Sequence, residues 1–256
     1  MIDNNTLFLM LVGGLVGAAS GYLGSFMVLK RMSLVGDALS HVALPGIAIA
    51  LTIGINPMVG ALVALFVSTV GVWYLSEKSD VYPESLVGMF FTASLALGVL
   101  LTPEPELLEA LFGDIDKVTR IDGFIIVLGA VLIFVITKMI SKGIMLGIVS
   151  DDLAKSQNIK MSKVNLAYLL MVGLVVALGV KFLGTLLTGA LVIIPAVIAK
   201  NVSKSLKFYH IISIVLGVFC SVFGIVVARY FELPTGPVVI LSGVFIYLFS
   251  FIFKKN

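Results

Sequence analysis

Long apolar stretches follow one another along almost the whole chain and constrain its fold more than any other feature. They cover residues 7–29, 33–54, 57–76, 85–102, 122–140, 164–180, 183–199, 209–230 and 236–253. Most are close to the roughly 20 residues that a helix needs to cross a hydrocarbon core of about 30 Å. Strand-like alternation, which is typical of outer-membrane barrels, does not occur. The pattern predicts an all-α, polytopic membrane helix bundle that forms one domain over residues 1–256.

Composition and charge agree with a chain that lies in a lipid bilayer. Apolar residues make up 60% of the chain and charged residues 12%, against about 45–50% and about 25% in soluble domains. The net charge of +3 comes from lysines that lie between the apolar stretches. We therefore expect no nucleic-acid partner. Cys220 is the only cysteine, which excludes an intrachain disulfide and a cysteine-based metal site.

The placement of lysine and arginine predicts the orientation and the number of spans. Lys181 and Phe182 alone separate the sixth and seventh stretches, which form either a tight hairpin or one broken helix, so there are nine or eight spans. With the N-terminus outside and nine spans, thirteen of the 17 basic residues face the cytoplasm: Lys30, Arg31, Lys78, Lys138, Lys142, Lys155, Lys160, Lys163, Lys200, Lys204, Lys207, Lys254 and Lys255. This asymmetry favours nine spans with a cytoplasmic C-terminus.

The outer segment between the fourth and fifth stretches is acidic. Its carboxylates are Glu104, Glu106, Glu109, Asp114, Asp116 and Asp122. We expect a solvated loop here, and the alternative is a vestibule that attracts cations.

Asp37 is the one charged residue well inside an apolar stretch, and His41 follows it four residues later. An aspartate near a helix centre costs about 2.5–3.5 kcal/mol on insertion scales, so such groups usually face a polar pathway. Residues four apart lie on the same helix face. Ser40 lies on the neighbouring flank and is able to orient either side chain.

Pro45 and Gly46 predict a kink close to this pair. Proline cannot donate a hydrogen bond to the carbonyl four residues earlier, which here belongs to His41. Carboxylate oxygen and imidazole nitrogen suit manganese, iron or zinc. From the spacing alone, a metal site, a proton relay and a structural pair all remain open. A metal site needs about four donors, which two copies of the chain around a twofold axis would supply.

Several segments of the chain resemble the permease subunits of bacterial manganese/zinc ABC importers (the ABC-3 family). They are residues 24–33 (GSFMVLKRMS), 36–41 (GDALSH), 111–114 (LFGD), 189–196 (GALVIIPA) and 234–237 (PTGP). The resemblance covers essentially the whole chain, and the GDALSH segment is its most specific part.

The resemblance implies a type II ABC importer-like permease in a prokaryotic cytoplasmic membrane, working as a homodimer. It implies two cytoplasmic ATP-binding subunits and an extracytoplasmic metal-binding protein as partners. The transported ion would be manganese or zinc, or sometimes iron, with Asp37 and His41 as metal ligands. No permanently bound cofactor is expected.

The segment 150–159 resembles the ATPase-docking loop of the family, within a cytoplasmic region around residues 142–163. Ser150, or one of the aspartates after it, is able to cap a short amphipathic helix there. Asn158 stands where relatives commonly have glycine, and asparagine tolerates the left-handed conformation. The predicted docking residues are Asp151, Asp152, Leu153, Ala154, Asn158 and Ile159.

Two other classes of function compete with this hypothesis. No Gly-x-x-x-x-Gly-Lys-[Ser/Thr] phosphate loop occurs, so the chain itself is not expected to be an ATP-hydrolysing enzyme. A proton-coupled secondary metal transporter would use Asp37 and His41 as a relay. An intramembrane metalloenzyme would need more ligands, and no His-Glu-x-x-His motif is present. His210, the other histidine, is interpreted as an interfacial residue.

Overall fold

The computed structural model describes residues 4–101 and 118–253, and helices account for nearly all of them. The helices are α1 (Asn4–Leu29), α2 (Ser33–Thr52), α3 (Pro57–Lys78), α4 (Pro83–Leu101), α5 (Arg120–Val149), α6 (Asp151–Ser156), α7 (Met161–Leu183), α8 (Thr185–Val202), α9 (Leu206–Phe231) and α10 (Thr235–Ser250), followed by a 3₁₀ turn (Phe251–Phe253). No strand occurs within these ranges. The predicted all-α bundle is confirmed.

Nine of these helices correspond to the nine apolar stretches, with ends that differ by a few residues. Seven are long and apolar enough to cross a membrane, whereas the apolar segments Leu187–Val202 in α8 and Thr235–Ser250 are shorter. The number of spans and the sides on which the termini lie stay predictions.

Outward-facing apolar side chains show where the bundle meets lipid. On α5, Phe124, Val131 and Val135 are exposed, whereas Ile126 and Ile133 are fully buried against the other helices. In water, such an exposed apolar face would be unusual. In a bilayer it is the expected outer surface, because lipid chains are as apolar as these side chains.

Small residues bring α1 into direct backbone contact with α9. A methyl group added to Gly17 would overlap the carbonyl oxygen of Gly217, and one added to Gly21 would overlap that of Ser213. Helices in membranes commonly associate through such stripes of small residues, because lipid supplies little hydrophobic driving force between helices. α1 also contacts α2, α5, α7 and α8, so it lies inside the bundle.

The chain bends sharply between α7 and α8. Gly184 separates them with φ +79°, a backbone conformation that glycine adopts without strain. A Cβ atom on Gly179 would collide with Thr188, although nine residues of straight helix would span about 13.5 Å. One straight helix through the sixth and seventh apolar stretches is therefore excluded.

Contacts between helix ends show which turns lie on the same side of the bundle. On one side, Lys30 donates to Asn165 over 3.1 Å, and the indole of Trp73 donates to the Ser162 carbonyl over 3.1 Å. On the other side, the Asn56 amide lies 3.5 Å from the Asp122 carboxylate. This grouping agrees with the alternation of turns that the nine-span prediction requires.

The expectation that Asp122 belongs to a solvated acidic loop is wrong. Its side chain is 1% exposed and forms a capping box at the start of α5. Its Oδ2 accepts hydrogen bonds from the Thr119 backbone N–H (2.9 Å) and hydroxyl (2.8 Å). A carboxylate at a helix N-terminus is satisfied by such donors and by the helix dipole. The other five acidic residues of the segment lie outside the described ranges.

Candidate metal centre

Asp37 and His41 lie one turn apart on α2, and both side chains are half-buried. α2 packs against α3, α4, α7 and α8, and the pair is partly covered by the bundle and partly accessible. The charge of Asp37 reaches the imidazole of His41. The shared helix face that the spacing predicted is present.

The backbone of Asp37 rests directly on α8 at Gly189. A Cβ atom on Gly189 would lie 2.5 Å from Asp37 Cα and 2.7 Å from Asp37 Cβ. Heavy atoms in contact are normally about 3.5–4.0 Å apart. No residue with a side chain fits here without a shift of one helix. The close approach therefore fixes the height and the direction of the Asp37 side chain relative to α8.

Ser40 joins α2 to the bend between α7 and α8. Its side chain is 0% exposed. Its hydroxyl donates both to the Thr185 carbonyl and to the Asp37 carbonyl (2.6 Å), so one proton is shared between two acceptors. Thr185 is the first residue after Gly184, so the turn of α2 that carries Asp37 and His41 is tied to the bend. Ser40 thus has the orienting contact that its position on α2 suggested.

His41 is held in place by packing against α4. The edge of its ring meets Phe91 of α4, with centroids 5.3 Å apart and an interplanar angle of 63°. Its Nδ1 is buried and has no hydrogen-bond partner in the part of the chain that the structure describes. No hydrogen bond or ion pair joins it to Asp37 among the described residues. The two side chains therefore remain available to a third group, which disfavours the structural-pair interpretation.

Pro45 and Gly46 lie inside α2, which continues beyond them to Thr52. Gly46 meets α3 at Gly60, where a methyl group on either glycine would overlap the other's carbonyl oxygen. Gly46 therefore permits the close helix contact expected of it. Pro45 has no N–H, so it leaves the His41 carbonyl without its usual partner within the helix.

The described part of one chain supplies only some of the donors that a metal ion needs. Among the described residues, no group of three or more histidine, cysteine, aspartate or glutamate side chains is placed to hold a metal ion. Asp37 and His41 supply two side-chain donors, and tetrahedral sites usually have four. A second copy of the chain remains the predicted source of the others.

The predicted docking segment forms a short capped helix away from the Asp37/His41 pair. Ser150 is the N-cap of α6, and its hydroxyl accepts from the Leu153 backbone N–H over 3.5 Å. Asn158 ends the segment at φ +57°, the left-handed conformation that was predicted. Ala154 is fully buried, whereas the side chain of Leu153 is exposed. The remaining predicted docking residues comprise the exposed Asp151 and Asp152 and the half-buried Ile159.

Reasoning from the sequence did not identify the residues that position the pair, namely Gly189, Thr185 and Phe91. Gly189 begins one of the segments that carry the family resemblance, which was the only available signal for it. Thr185 and Phe91 lie far along the chain from Asp37, and nothing in their local pattern indicates the contact. The LFGD segment at residues 111–114 lies outside the described ranges.

These observations define a polytopic α-helical membrane protein with a carboxylate and an imidazole inside its bundle. Residues 3–254 match the ABC 3 transport family. The chain therefore belongs to this family, and it is a multi-pass protein of the plasma membrane.

Curated relatives match over nearly the full length. The chain is 30% identical over 240 residues to the manganese import system permease protein ScaB of Streptococcus gordonii, which covers 92% of this chain and 86% of the relative. It is 31% identical over 251 residues to the high-affinity zinc uptake system membrane protein ZnuB of Buchnera aphidicola subsp. Acyrthosiphon pisum, with 95% of each chain covered.

Solved structures share the fold. A chain of PsaBC from Streptococcus pneumoniae in complex with Fab aligns with a TM-score of 0.84 at 27% identity, covering 97% of this chain and 91% of that one. An inward-facing putative metal-chelate type ABC transporter aligns with a TM-score of 0.77 at 19% identity, covering 97% and 86%. The second likeness concerns the fold alone.

Proposed function

We propose that this chain is the permease subunit of an ATP-driven importer for manganese or zinc, with iron as a further candidate ion. The observation that carries the proposal is the Asp37/His41 pair, which α2 presents inside the bundle without pairing the two side chains to each other. Membership of the ABC 3 transport family supports the transport class. The manganese and zinc systems named for the relatives support the choice of ions.

The metal site is shared between two protomers that face each other across a twofold axis. Each contributes the Asp37 carboxylate and the His41 imidazole. Two carboxylates neutralise a divalent cation, and two imidazoles favour borderline transition metals over calcium or magnesium. The half-buried position of both side chains leaves an open side for the second protomer.

The scaffold around the pair orients the ligands without enclosing the ion. Gly189 and Ser40 fix α2 against α8, whereas His41 Nδ1 has no second partner in the described part of the chain. Ligating histidines usually donate their other ring N–H to a carboxylate or carbonyl, which strengthens metal binding. Without such a partner the site binds more weakly, and weak binding suits an ion that must leave again.

Energy comes from partner subunits. Cytoplasmic ATP-binding subunits dock on the segment 142–163, where α6 exposes Leu153 and its two N-terminal aspartates and the Asn158 turn follows. An extracytoplasmic metal-binding protein delivers the ion to the opposite face. In this arrangement the N-terminus lies outside, the C-terminus lies in the cytoplasm, and residues 1–256 form one permease domain. The chain holds the metal as cargo and has no permanent cofactor.

The test is metal uptake into proteoliposomes that contain the chain with its ATP-binding subunits. Asp37→Ala and His41→Ala should each abolish uptake of manganese or zinc, while membrane insertion and dimer formation stay intact. Asp80→Ala, which removes an exposed carboxylate outside the helices, is the matched control and should transport normally. Competition among manganese, zinc and iron names the ion.

Two outcomes would reject the proposal. Normal uptake by both substituted proteins would show that the pair is not on the transport path. Uptake that proceeds without ATP and collapses on addition of an uncoupler would favour the proton-coupled secondary transporter instead.

A further inference from the structure

Lys30 lies in the turn between α1 and α2, and its ammonium contacts two residues of α7. Its Nζ donates to the Asn165 side-chain oxygen over 3.1 Å. The same ammonium lies 4.6 Å from the centre of the Tyr168 ring, within the distance at which a cation is attracted to an aromatic face. The side chain is half-buried, so these contacts are shielded from water more than a surface pair would be.

The docking helix α6 leads directly into the start of α7, whose Asn165 binds this ammonium. In the connection, the Asn158 N–H bonds to the Lys155 carbonyl over 2.9 Å and the Ile159 N–H to the Ala154 carbonyl over 3.1 Å, and α7 begins at Met161. Burial lowers the pKa of the Lys30 amino group, and the nearby carboxylate of Asp151 opposes that shift. Asp151 is the first residue of α6. Lys30 is therefore bonded to α7 shortly after the docking helix ends, and it belongs to the turn that leads into α2.

The turn that carries Lys30 is tightly hydrogen-bonded and transmits displacement into α2. The Lys30 N–H bonds to the Phe26 carbonyl over 2.8 Å, and the Met32 N–H bonds to the Met27 carbonyl over 3.0 Å. Arg31 adopts φ +60° within the turn. α2 begins at Ser33, and Asp37 follows in its second turn. A shift of this turn relative to α7 therefore moves the start of the helix that carries the proposed metal ligands.

We propose that Lys30 is a positioning residue that couples the docking helix α6 to the metal-bearing helix α2. The inference rests on the proposed function, because it takes α6 as the contact for the ATP-binding subunit. Displacement of α6 by that subunit is passed through the short connection 157–160 to the start of α7, and the Lys30–Asn165 hydrogen bond carries it to the α1–α2 turn. The unusual environment of this one lysine carries the inference, since the other described lysines around α6 and α7, Lys142, Lys155, Lys160 and Lys163, are exposed.

The test measures ions transported per ATP hydrolysed by the reconstituted permease–ATPase complex. Lys30→Met keeps the length of the side chain and removes its charge. We expect it to lower the ratio of ions to ATP by about 10-fold, within the usual range of coupling between sites. Metal binding to the resting complex and the rate of ATP hydrolysis should stay close to wild type. A purely structural role would reduce transport and hydrolysis together and leave their ratio unchanged.

Matched variants isolate the contacts. Lys30→Arg retains a cation and hydrogen-bond donors and should restore most of the ratio. Lys155→Met removes an exposed lysine of α6 that pairs with Asp152 at 3.6 Å, and it should leave the ratio unchanged. Tyr168→Phe keeps the ring beneath the ammonium and removes a hydroxyl with no hydrogen-bond partner among the described residues, so it should match wild type. Tyr168→Leu removes the ring and should lower the ratio.

A wild-type ratio in Lys30→Met, or a failure of arginine to restore a reduced ratio, overturns the inference. So does a proportional loss of transport and hydrolysis. These results are separable from failure of the proposed function. If Asp37→Ala abolishes uptake while Lys30→Met transports normally, only the coupling role is lost. If Asp37→Ala and His41→Ala both transport normally, the proposed function itself fails.

Discussion

The chain has two histidines, both half-buried in the bundle, and their surroundings differ in a way that separates packing from ligand binding. His210 on α9 stacks on Phe26 with centroids 4.4 Å apart and an interplanar angle of 22°. Its Nδ1 lies at hydrogen-bonding distance from the Ser25 hydroxyl. His41 on α2 has one edge contact with Phe91, and its Nδ1 has no partner in the described part of the chain.

The hydrogen bonds around His210 assign its ring a donor role. The Ser25 hydroxyl donates its proton to the Tyr22 carbonyl over 2.6 Å, so His210 Nδ1–H is the donor to Ser25. The Tyr209 hydroxyl donates to the Ser25 carbonyl over 3.1 Å. The name His210 region is used below for the contact between α1 and α9 around Ser25 and His210. The name metal region is used for the contact between α2 and α8 around Asp37 and His41, the proposed metal ligands.

The comparison shows that residue type alone does not identify a ligand. In the His210 region, the ring is one more packed aromatic side chain with its donor satisfied, and no carboxylate stands one turn away. In the metal region, the ring has an aspartate one turn before it and a nitrogen without a partner among the described residues. His210 was interpreted from the sequence as an interfacial residue, and in the structure its ring is half-buried in the packing between α1 and α9.

The largest expected effect distinguishes the two histidines directly. His41→Ala should reduce metal uptake by at least about 100-fold, the upper end of the loss seen even for indirect metal contacts. His210→Ala should leave uptake within a few-fold of wild type, because its contacts are confined to the α1–α9 packing. Uptake into proteoliposomes, normalised to inserted protein, measures both. If the two substitutions reduce uptake equally, His210 also takes part in transport and the distinction between the regions fails.

Close glycine contacts offer a second comparison, with a smaller expected effect. Gly189→Ala places a methyl group against Asp37 and should lower uptake by about 10-fold, since a displacement of about 1 Å at a site has costs of that order or larger. Gly88→Ala on α4 is the matched control, because nothing lies within 4 Å of the added methyl.

Gly217→Ala tests whether the Gly189 effect is specific to the site. It forces an equally tight contact against Gly17 in the helix pair of the His210 region, and it should lower the yield of folded protein while the folded fraction keeps its affinity for metal. Metal affinity of the purified protein is the deciding measurement. A Gly189→Ala protein with wild-type affinity and uptake would remove Gly189 from the positioning role.

The positions of the helices were predictable from the sequence because each depends on the apolar residues of its own stretch. A span needs a long apolar stretch, and nine such stretches correspond to nine helices of the described chain. The α6 cap at Ser150 and the left-handed Asn158 were also predictable, since each depends on residues within a few positions. The Asp37/His41 face follows from helical periodicity alone.

Contacts between distant segments were not predictable in the same way. The support of Asp37 by Gly189, and of Ser40 by Thr185, depends on how α2 and α8 pack, and no local pattern encodes that. Asp122 was misassigned because it follows several other acidic residues in the sequence, a pattern typical of a solvated loop. In the structure it is buried, and its carboxylate is satisfied in a capping box with Thr119. The sequence likewise left open how the sixth and seventh apolar stretches are joined, and only the structure shows the bend at Gly184.

The smallest expected effects on uptake come from the two buried serines, whose substitutions should rank in one order in a stability assay and in the reverse order in an uptake assay. Ser40→Ala removes the hydrogen bond to Thr185, whose carbonyl also has a partner within α8. It should therefore cost only about 0.6 kcal/mol of stability, typical for such bonds in membranes, yet lower uptake several-fold because α2 loosens at the metal ligands. Ser25→Ala leaves the His210 N–H without an acceptor and should cost about 1–3 kcal/mol, with uptake unchanged. Thermal unfolding in detergent and uptake, measured on the same preparations, give the two readouts. A Ser25→Ala protein that loses as much uptake as Ser40→Ala would place both serines in one unit linked to transport. The contrast between the two histidines would then reflect their positions along a shared pathway, and not a division between packing and binding.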